Sequence, residues 1–348
     1  MVTTTFRTTA VVVVLAVSVA ELSVQESRNA ETARPASNPK HSANPVLKPG
    51  PADWDAFNVL HCAVVRDEQG YKMYYTGEPV PPGYAFRSIG VALSRDGIRW
   101  EKYADNPVIS PSRNIKSDEF DNVHCHLPTV LYRPNRKPRY QMWYSGYQDN
   151  GGNRIGYAHS DDGLKWVRSP KPVLSYGKSG DFDDGSLRCP DVLIHPQTGE
   201  YWMWYYGTRS SQHYGPTGLA VSKDGIEWEK RGKLSEDESR LLDGAVVYDP
   251  AAKLFRMWHD RGSAINYAVS RDGLRWQDHD GPPLIQPDQP YDRGYCQAPT
   301  VLYDPPSRSY FVYYNGSTSG EPDKERVTIN LAIFPEADLT QLRLLPAR

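Results

Sequence analysis

The stretch FDNVHCHLPTVLY, residues 120–132, places two imidazoles and a thiol directly before an apolar run. His124 and His126 are two residues apart, so in a β-strand they would lie on one face, with Cys125 on the other. Neutral imidazole can accept a proton near neutral pH, and it can also bind a divalent metal ion. Which chemistry applies depends on the residues that the fold brings beside this pair.

An internal repeat predicts that fold. Four segments have the form S-x-D-G-x-x-W, at 94–100, 160–166, 222–228 and 270–276. Asp-Gly between two β-rich runs indicates a hairpin, because glycine accepts positive φ at low cost. An aromatic strand precedes each turn, and a fifth aromatic strand, YFVYYNG at 310–316, has no such turn after it. Five units of about four strands each predict an all-β, five-bladed β-propeller with antiparallel blades. A β-sandwich does not account for five copies.

The first strand of each blade in a propeller lines a central channel, and alternate residues face its axis. Aligning the five copies on the Pro or Ala that begins the apolar run predicts one polar residue per blade at a common level. These residues are His61, His126, Arg188, Asp243 and Gln297. Burying them around a dry channel without partners would be costly, so we predict a functional pocket at the channel mouth. Each histidine taken singly could equally be a hydrogen-bonded structural residue.

Residues that break the repeat are further candidates for function. His259, Asp260 and Arg261 stand where the other aromatic strands carry Tyr, a small or aromatic residue, and Gly. We predict that they contact substrate. Asp184 also has no counterpart in the other blades and is a candidate catalytic base. Four aspartates recur after an aromatic residue, which indicates that they share a structural role; they are Asp55, Asp121, Asp183 and Asp292.

The pattern IGxAxSxDGxxW…NPVI, with NPVLKPGPADWDAF at 44–57, resembles the five-bladed propeller glycosidases of the arabinanase, invertase and mannoside-phosphorylase superfamily. The resemblance covers about residues 44–335. It implies a carbohydrate ligand and carboxylates from different blades, one protonating the leaving oxygen and, in inverting members, another activating water.

The same resemblance assigns individual positions. LDGAVV matches the family's acid motif and puts Asp243 in the place of the acid. RCP at 188–190 keeps the arginine of the family's R-D-P motif but has Cys189 where the aspartate stands. HCA at 61–63 has no match to the blade-one aspartate. The base must therefore be a different residue, such as Asp184, Asp55 or a histidine.

Three functions remain open at this point. The first is a secreted glycoside hydrolase that requires no cofactor, with Asp243 as acid and Asp184 or His126 as base; the sugar would be held by His61, His124, Arg188, Gln297, His259, Asp260 and Arg261. The second is a polysaccharide lyase or epimerase with a divalent metal ion in the central channel, bound by His61, His124 and His126. The third is a carbohydrate-binding propeller without catalysis.

The N-terminus predicts export. Arg7 precedes the apolar run 10–20, which ends in Ser18-Val19-Ala20, as in a secretory signal peptide cleaved after Ala20. The protein would be secreted or periplasmic, without stable membrane insertion. Residues 21–43 are predicted to be a disordered leader, and 44–348 a single propeller domain.

A net charge of −2 without a basic block argues against nucleic acid as a partner. The oligomeric state is left open, as is whether the four cysteines form disulfides or stay buried thiols.

Overall fold

The computed structural model describes residues 38–79, 86–149, 151–210, 215–234, 242–319 and 326–345, apart from the side chains of Leu242 and Asp243. The predicted signal peptide and residues 21–37 of the predicted leader lie outside the described residues. Within the described part, no helix is long and apolar enough to cross a membrane.

The described strands form five antiparallel sheets in chain order, and within each sheet the strands lie side by side in sequence order. Blade one contains β1 (Asn58–Asp67), β2 (Gly70–Glu78), β3 (Ser88–Ser94) and β4 (Glu101–Lys102). Blade two contains β5 (His124–Tyr132), β6 (Tyr140–Gln148), β7 (Gly152–Ser160) and β8 (Val167–Arg168). Blade three contains β9 (Ser186–Ile194), β10 (Tyr201–Thr208), β11 (Thr217–Ser222) and β12 (Trp228–Lys233). Blade four contains β13 (Leu242–Asp249), β14 (Leu254–Arg261), β15 (Ala264–Ser270) and β16 (Gln277–Asp278). Blade five contains β17 (Tyr295–Asp304), β18 (Ser309–Ser317) and β19 (Val327–Pro335), followed by a single helical turn, Glu336–Leu339.

The first strands of the five blades contact one another in a closed ring. β1 contacts β5, β5 contacts β9, β9 contacts β13, β13 contacts β17, and β17 contacts β1. Apolar and aromatic side chains fill the spaces between neighbouring blades; for example, Trp166 of blade two packs edge-on against Tyr74 of blade one, with ring centroids 5.4 Å apart. The predicted five-bladed propeller is confirmed.

The N-terminal segment takes the place of a fourth strand in blade five. Lys40 bridges Ala332, as Lys102 pairs with Ala92 in blade one, and Leu47 bridges Ile329. Asn44 and Leu331 exchange two hydrogen bonds of 2.8 and 2.9 Å. Residues 38–43, which the sequence assigns to the leader, are therefore part of this blade and close the ring.

A buried aspartate joins the loop before each of four blades to that blade. In blade one, Asp55 is fully buried and accepts hydrogen bonds from Tyr75 Oη at 2.9 Å and Lys102 Nζ at 2.5 Å. The same trio recurs as Asp121 with Tyr144 and Arg168, Asp183 with Tyr205 and Lys230, and Asp292 with Tyr314 and Lys40. We call this arrangement the aspartate lock. It is the shared structural role that the recurrence indicates.

None of the four cysteines, all of which lie in the described part of the chain, forms a disulfide. Cys62, Cys125 and Cys296 are buried in the apolar clusters between blades, as predicted. Cys62 and Cys189 also line the central channel, and Cys189 differs from the other three because it is half-buried.

Candidate functional site

A β-bulge in the inner strands decides which residues share a level around the axis. The second strands of the five blades can be aligned with one another. One aligned position is occupied, from blade one to blade five, by Thr76, Ser145, Tyr206, Asp260 and Asn315. The residues opposite these five are Leu60, His126, Arg188, Leu242 and Gln297. We call this level the mouth ring.

The next residue of each inner strand forms a second level, the throat ring, which consists of His61, Leu127, Cys189, Asp243 and Ala298. Four of these have positive φ, between 26° and 55°, which is uncommon for residues other than glycine. The neighbouring blade stabilises this backbone by accepting its N–H groups. Leu127 donates to Thr76 Oγ1 at 3.0 Å, and Ala298 donates to Asp260 Oδ1 at 2.8 Å.

The predicted polar ring is therefore wrong at two of its five members. His61 and Asp243 belong to the throat ring, one residue away from the level of His126, Arg188 and Gln297. The sequence alignment places Ala63 and Ala245 at the level of the prolines in the other blades. The strand register instead places both alanines at the level of Thr129, one residue after the proline. The side chain of Asp243 lies outside the described residues; its backbone position in the channel wall follows from the register.

The axial channel is narrow below the mouth. A cavity of about 50 Å³ is lined by throat-ring residues and the two positions that follow them, from all five blades. A water molecule occupies about 30 Å³ of liquid, so the channel has room for water but not for a sugar ring. A sugar would therefore have to bind outside this cavity.

A polar cluster at this mouth lies between blades one and two. The His124 and His126 rings are 5.5 Å apart, and His124 stacks on Tyr147 at 5.2 Å. His124 Nδ1 accepts the backbone N–H of Arg87 at 3.2 Å. His126 Nε2 lies 2.8 Å from Oδ1 of Asn153. The predicted proximity of the two histidines is confirmed, and each commits one ring nitrogen to a protein partner.

Arg87 adds a cation to the same cluster. Its Nε and Nη2 donate to Oε1 of Glu78 at 2.9 and 2.6 Å, and Asn58 Nδ2 donates to the other oxygen at 2.8 Å. Glu78 is 1% exposed, whereas the Arg87 side chain is 28% exposed. Sequence reasoning missed both residues, because Glu78 at the end of β2 and Arg87 just before β3 belong to no repeated motif.

Burial and positive charge keep these histidines neutral. Burial, followed by the charge of Arg87, lowers the pKa of His124 to about 4. Burial also lowers the pKa of His126 well below its ordinary range, helped by Arg87, His124 and His61. His126 Nδ1 is buried and has no hydrogen-bond partner among the described residues. A neutral imidazole with an available lone pair is a base, although a low pKa makes it a weak one.

The channel also contains an acid that the sequence pattern does not single out. Asp191 lies two residues beyond the throat ring, lines the channel, and accepts the N–H of Val246 at 2.7 Å. Burial raises the pKa of Asp191 to about 7. Its counterparts in the other blades are Ala63, Thr129, Ala245 and Thr300, so it alone of these five is ionisable.

Asp184, the predicted base of blade three, lies on an exposed loop. Its carboxylate accepts backbone N–H groups from Gly180 and Ser210, both at 2.8 Å. These donors hold its pKa below the ordinary value. The contacts show that Asp184 orders this loop; its catalytic role stays a prediction.

The three repeat-breaking residues of blade four are not grouped together. His259 is buried and pairs with Asp278, and Asp260 is buried and holds the backbone of Ala298. Arg261 is exposed beside Gly262, whose carbonyl accepts Gln297 Nε2 at 2.8 Å. Asp260 is also opposite the mouth-ring residue Leu242, so Arg261 and Asp260 lie beside the mouth ring, and of the three Arg261 is the exposed one.

Arg188, the mouth-ring residue of blade three, lies over an aromatic ring of its own blade. Its guanidinium carbon is 4.7 Å from the centroid of the Tyr206 ring. Such a contact is favourable because the face of the ring carries partial negative charge. Tyr206 therefore orients the Arg188 guanidinium, which the sequence analysis predicts to bind the sugar.

A larger concavity lies away from this mouth. It measures about 540 Å³ and is formed around the S-x-D-G-x-x-W turn of blade one, with Trp100, Arg95 and Glu101 among its lining residues. The corresponding turn of blade three forms a similar hollow of about 340 Å³. A hollow that recurs with the repeat is a consequence of the blade architecture, so we place the candidate site at the channel mouth.

The predicted metal ligands do not fit a common ion. No group of three or more His, Cys, Asp or Glu residues in the described part of the chain is arranged to hold a metal. His124 Nδ1 and His126 Nε2 are already used by Arg87 and Asn153. We therefore derive no step through a metal ion.

Known proteins share this fold. No family model matches the chain. An uncharacterized protein of Mycobacterium tuberculosis is 26% identical over 235 residues, which is 63% of this chain and 73% of that protein. The 1,2-beta-oligomannan phosphorylase of a Thermoanaerobacter species is 31% identical over 206 residues, 55% of this chain and 62% of the phosphorylase.

Solved structures extend the likeness over most of the chain. One comes from work on the GH130 mannoside phosphorylases, a family containing glycoside hydrolases that target β-1,2 mannosidic linkages in Candida mannan. It has a TM-score of 0.63 and 17% identity, covering 87% of this chain and 93% of its own. The predicted resemblance to propeller glycosidases and phosphorylases is confirmed at the level of the fold.

Proposed function

We propose that this chain cleaves glycosidic bonds in a carbohydrate bound at the mouth of the axial channel. The observation that supports this most directly is the convergence of His126, Arg188 and Gln297, from three blades, on one level above a channel too narrow for sugar. One relative with an assigned activity is a 1,2-beta-oligomannan phosphorylase, and a solved neighbour comes from work on mannoside phosphorylases and hydrolases.

Asp243 is the proposed general acid. Its register position puts it in the throat ring, directly beneath the mouth. An aspartate acid needs a raised pKa, which burial in a channel wall can supply. The proposed acid would protonate the leaving oxygen as the bond to the sugar breaks.

The base has three candidates with different merits. His126 and Asp184 are both unprotonated at neutral pH, because their pKa values are lowered, but both are correspondingly weak. Asp191, with a pKa of about 7, is better matched to proton transfer and faces the water-sized channel. It lies on β9 and is hydrogen-bonded to Val246, which is three residues, or about 10 Å of extended strand, along β13 from Asp243. We propose Asp191 as an addition to the two predicted bases.

Export completes the proposal. An enzyme that acts on external glycans needs to leave the cytoplasm, and residues 1–20 have the composition of a secretory signal. N-terminal sequencing of protein from culture medium or periplasm should give Glu21 as the first residue. Recovery of the intact Met1 terminus in a membrane fraction would contradict export by cleavage.

The central experiment measures cleavage of a broad glycan panel by the purified protein, with and without inorganic phosphate. Reducing sugar without phosphate indicates hydrolysis, and a sugar 1-phosphate indicates phosphorolysis. Asp243→Asn should lower the rate by about 10²–10⁴-fold, the usual contribution of a general acid. Asp118→Asn removes an exposed carboxylate and serves as the matched control. No product from any glycan would overturn the proposal.

The other two predicted functions have distinct outcomes in the same assay. Glycan binding without turnover, unchanged by Asp243→Asn, would identify a carbohydrate-binding propeller. Activity that is lost with chelator and restored by a divalent metal would identify the metal-dependent lyase or epimerase.

A further inference from the structure

The cluster of Arg87, His124 and Glu78 is polarised toward the mouth. Glu78 is 1% exposed, and both of its oxygens are used, one by Arg87 and one by Asn58. The Arg87 side chain is 28% exposed. The pair therefore buries its negative end and presents its positive end to solvent.

Two donors are left over on this positive end. Arg87 uses Nε and Nη2 on Glu78, and no acceptor for Nη1 occurs among the described residues. His124 accepts an N–H on Nδ1, so its neutral form carries the proton on Nε2 and donates from there. Tyr147 stacks against His124 and fixes the orientation of its ring.

A positive potential extends from Arg87 across the neighbouring imidazoles. Arg87 disfavours the charged forms of both His124 and His126 and lowers the pKa of each, so both rings lie within its field. The carboxylate that Arg87 contacts, Glu78, is buried and accepts hydrogen bonds from Arg87 and Asn58. A guanidinium and an imidazole N–H in this setting are suited to an oxyanion.

We infer that the mouth binds a sugar residue carrying an oxyanion, held by Arg87 Nη1 and His124 Nε2. This inference rests on the proposed carbohydrate function and names the substrate class, which is an acidic rather than a neutral glycan. A uronate carboxylate and a sulfate ester present the same oxygen chemistry, and the test separates these two sources.

The test compares matched ligands by calorimetry on the full chain. D-glucuronate and D-galacturonate are paired with D-glucose and D-galactose, and D-glucose 6-sulfate is the second source of the oxyanion. One charged group with a good hydrogen bond should give about 10- to 100-fold tighter binding of the acidic member. The tighter of the uronate and the sulfate identifies the oxyanion, and either result supports the inference. Equal binding of acidic and neutral sugars would overturn it.

Variants locate the binding. The double variant Glu78→Gln/Arg87→Gln removes both charges together and so avoids leaving a buried glutamate unpaired. It should reduce binding of the acidic sugar to that of the neutral one. His124→Phe keeps a ring on Tyr147 and removes the Nε2 donor, so it tests the site if the double variant does not fold. Arg99→Gln, at an exposed turn with 88% of its side chain accessible, should change nothing. Unchanged binding in folded Glu78→Gln/Arg87→Gln or in His124→Phe would overturn the inference.

Inorganic phosphate provides a further comparison. If phosphate binds as tightly as the acidic sugar and displaces it, the site recognises a free oxyanion and the inference fails. Cleavage of neutral glycans without preference for acidic sugars would also overturn the inference while leaving the proposed function intact. Tight binding of an acidic sugar with no cleavage of any glycan would support the inference and contradict the proposed function.

Discussion

His259 Nε2 lies 3.4 Å from Asp278 Oδ1 in blade four, at the two positions that carry the tyrosine and the cation of the aspartate lock in other blades. Asp278 is opposite Ala268, the position at which blade one carries Lys102 opposite Ala92. His259 occupies the position of the tyrosine that hydrogen-bonds the lock aspartate in the other four blades. An acid has replaced the cation and a basic ring has replaced the phenol, so the two changes compensate each other. The histidine that breaks the sequence repeat is thereby explained by packing.

The contact between His259 and Asp278 predicts that substitutions at these two positions have non-additive effects on the free energy of unfolding. His259→Asn and Asp278→Asn should each destabilise the fold, and the double variant should be less destabilised than the sum by about 0.5–3 kcal/mol, as for residues in direct contact. Urea unfolding monitored by tryptophan fluorescence measures the free energies. His259→Asn combined with Lys102→Met, in a different blade, should be additive. Additivity within the error for His259 and Asp278 would contradict the compensation.

The fourth strand of blade five has a signature in the sequence. Residues 40–47, KHSANPVL, correspond position by position to 102–109, KYADNPVI. Asn106 exchanges two 2.8 Å hydrogen bonds with Val91, just as Asn44 exchanges two with Leu331. The match indicates that the N-terminal segment supplies the fourth strand of blade five, the blade without an S-x-D-G-x-x-W turn. Composition alone suggests a leader, because the segment is short and polar.

The sequence does not show at which level along the channel axis each polar residue lies. The bulge at the throat ring depends on hydrogen bonds from a neighbouring blade, such as Leu127 N–H to Thr76 Oγ1. Proline follows the bulge in three blades, but Cys62 and Gly244 follow it in the other two, so an alignment on proline slips by one residue. Asp191 becomes conspicuous only after the register is known, since its counterparts are alanine or threonine. The repeat thus predicts the fold, while tertiary contacts decide the site.

Replacing Lys40, in the N-terminal segment that completes blade five, should strongly lower the stability of the fold. The Lys40 and Asp292 side chains are 4% and 0% exposed and lie 2.5 Å apart. Lys40→Met leaves a buried carboxylate without its cation, which typically costs about 3–5 kcal/mol. Lys48→Met, at an exposed position just beyond the segment, is the control and should be near neutral. Urea unfolding of both variants provides the comparison, and similar stabilities would show that the segment does not close the ring.

Asp191 predicts a specific dependence of stability on pH. Its pKa is about 7 in the fold, and about 3.9 is ordinary for an aspartate in an unfolded chain. Between these values the folded state keeps a proton that the unfolded state has released. The free energy of unfolding therefore falls as pH rises from about 4 to about 7, and this contribution is constant above that range.

Asp191→Asn should abolish that slope while preserving an oxygen for the Val246 N–H. Relative to the variant, the wild type should lose up to about 4 kcal/mol across the window, given 1.36 kcal/mol per pKa unit. Unfolding free energies at several pH values test this, with Asp118→Asn as an exposed control that keeps the wild-type slope. Parallel pH profiles for wild type and Asp191→Asn would contradict a raised pKa at this residue.

The cysteines predict a graded pattern of thiol labelling. Burial raises the pKa values of Cys62, Cys125 and Cys296, which suppresses the reactive thiolate and adds to their steric protection. Cys189 is half-buried in the channel wall, so a small reagent such as methyl methanethiosulfonate should modify it first. Mass spectrometry of the native protein should show one rapid addition, absent from Cys189→Ser, and four additions after denaturation without reductant. Only two additions in denaturant would mean that export had produced a disulfide, which would require the inner strands to shift from the arrangement described.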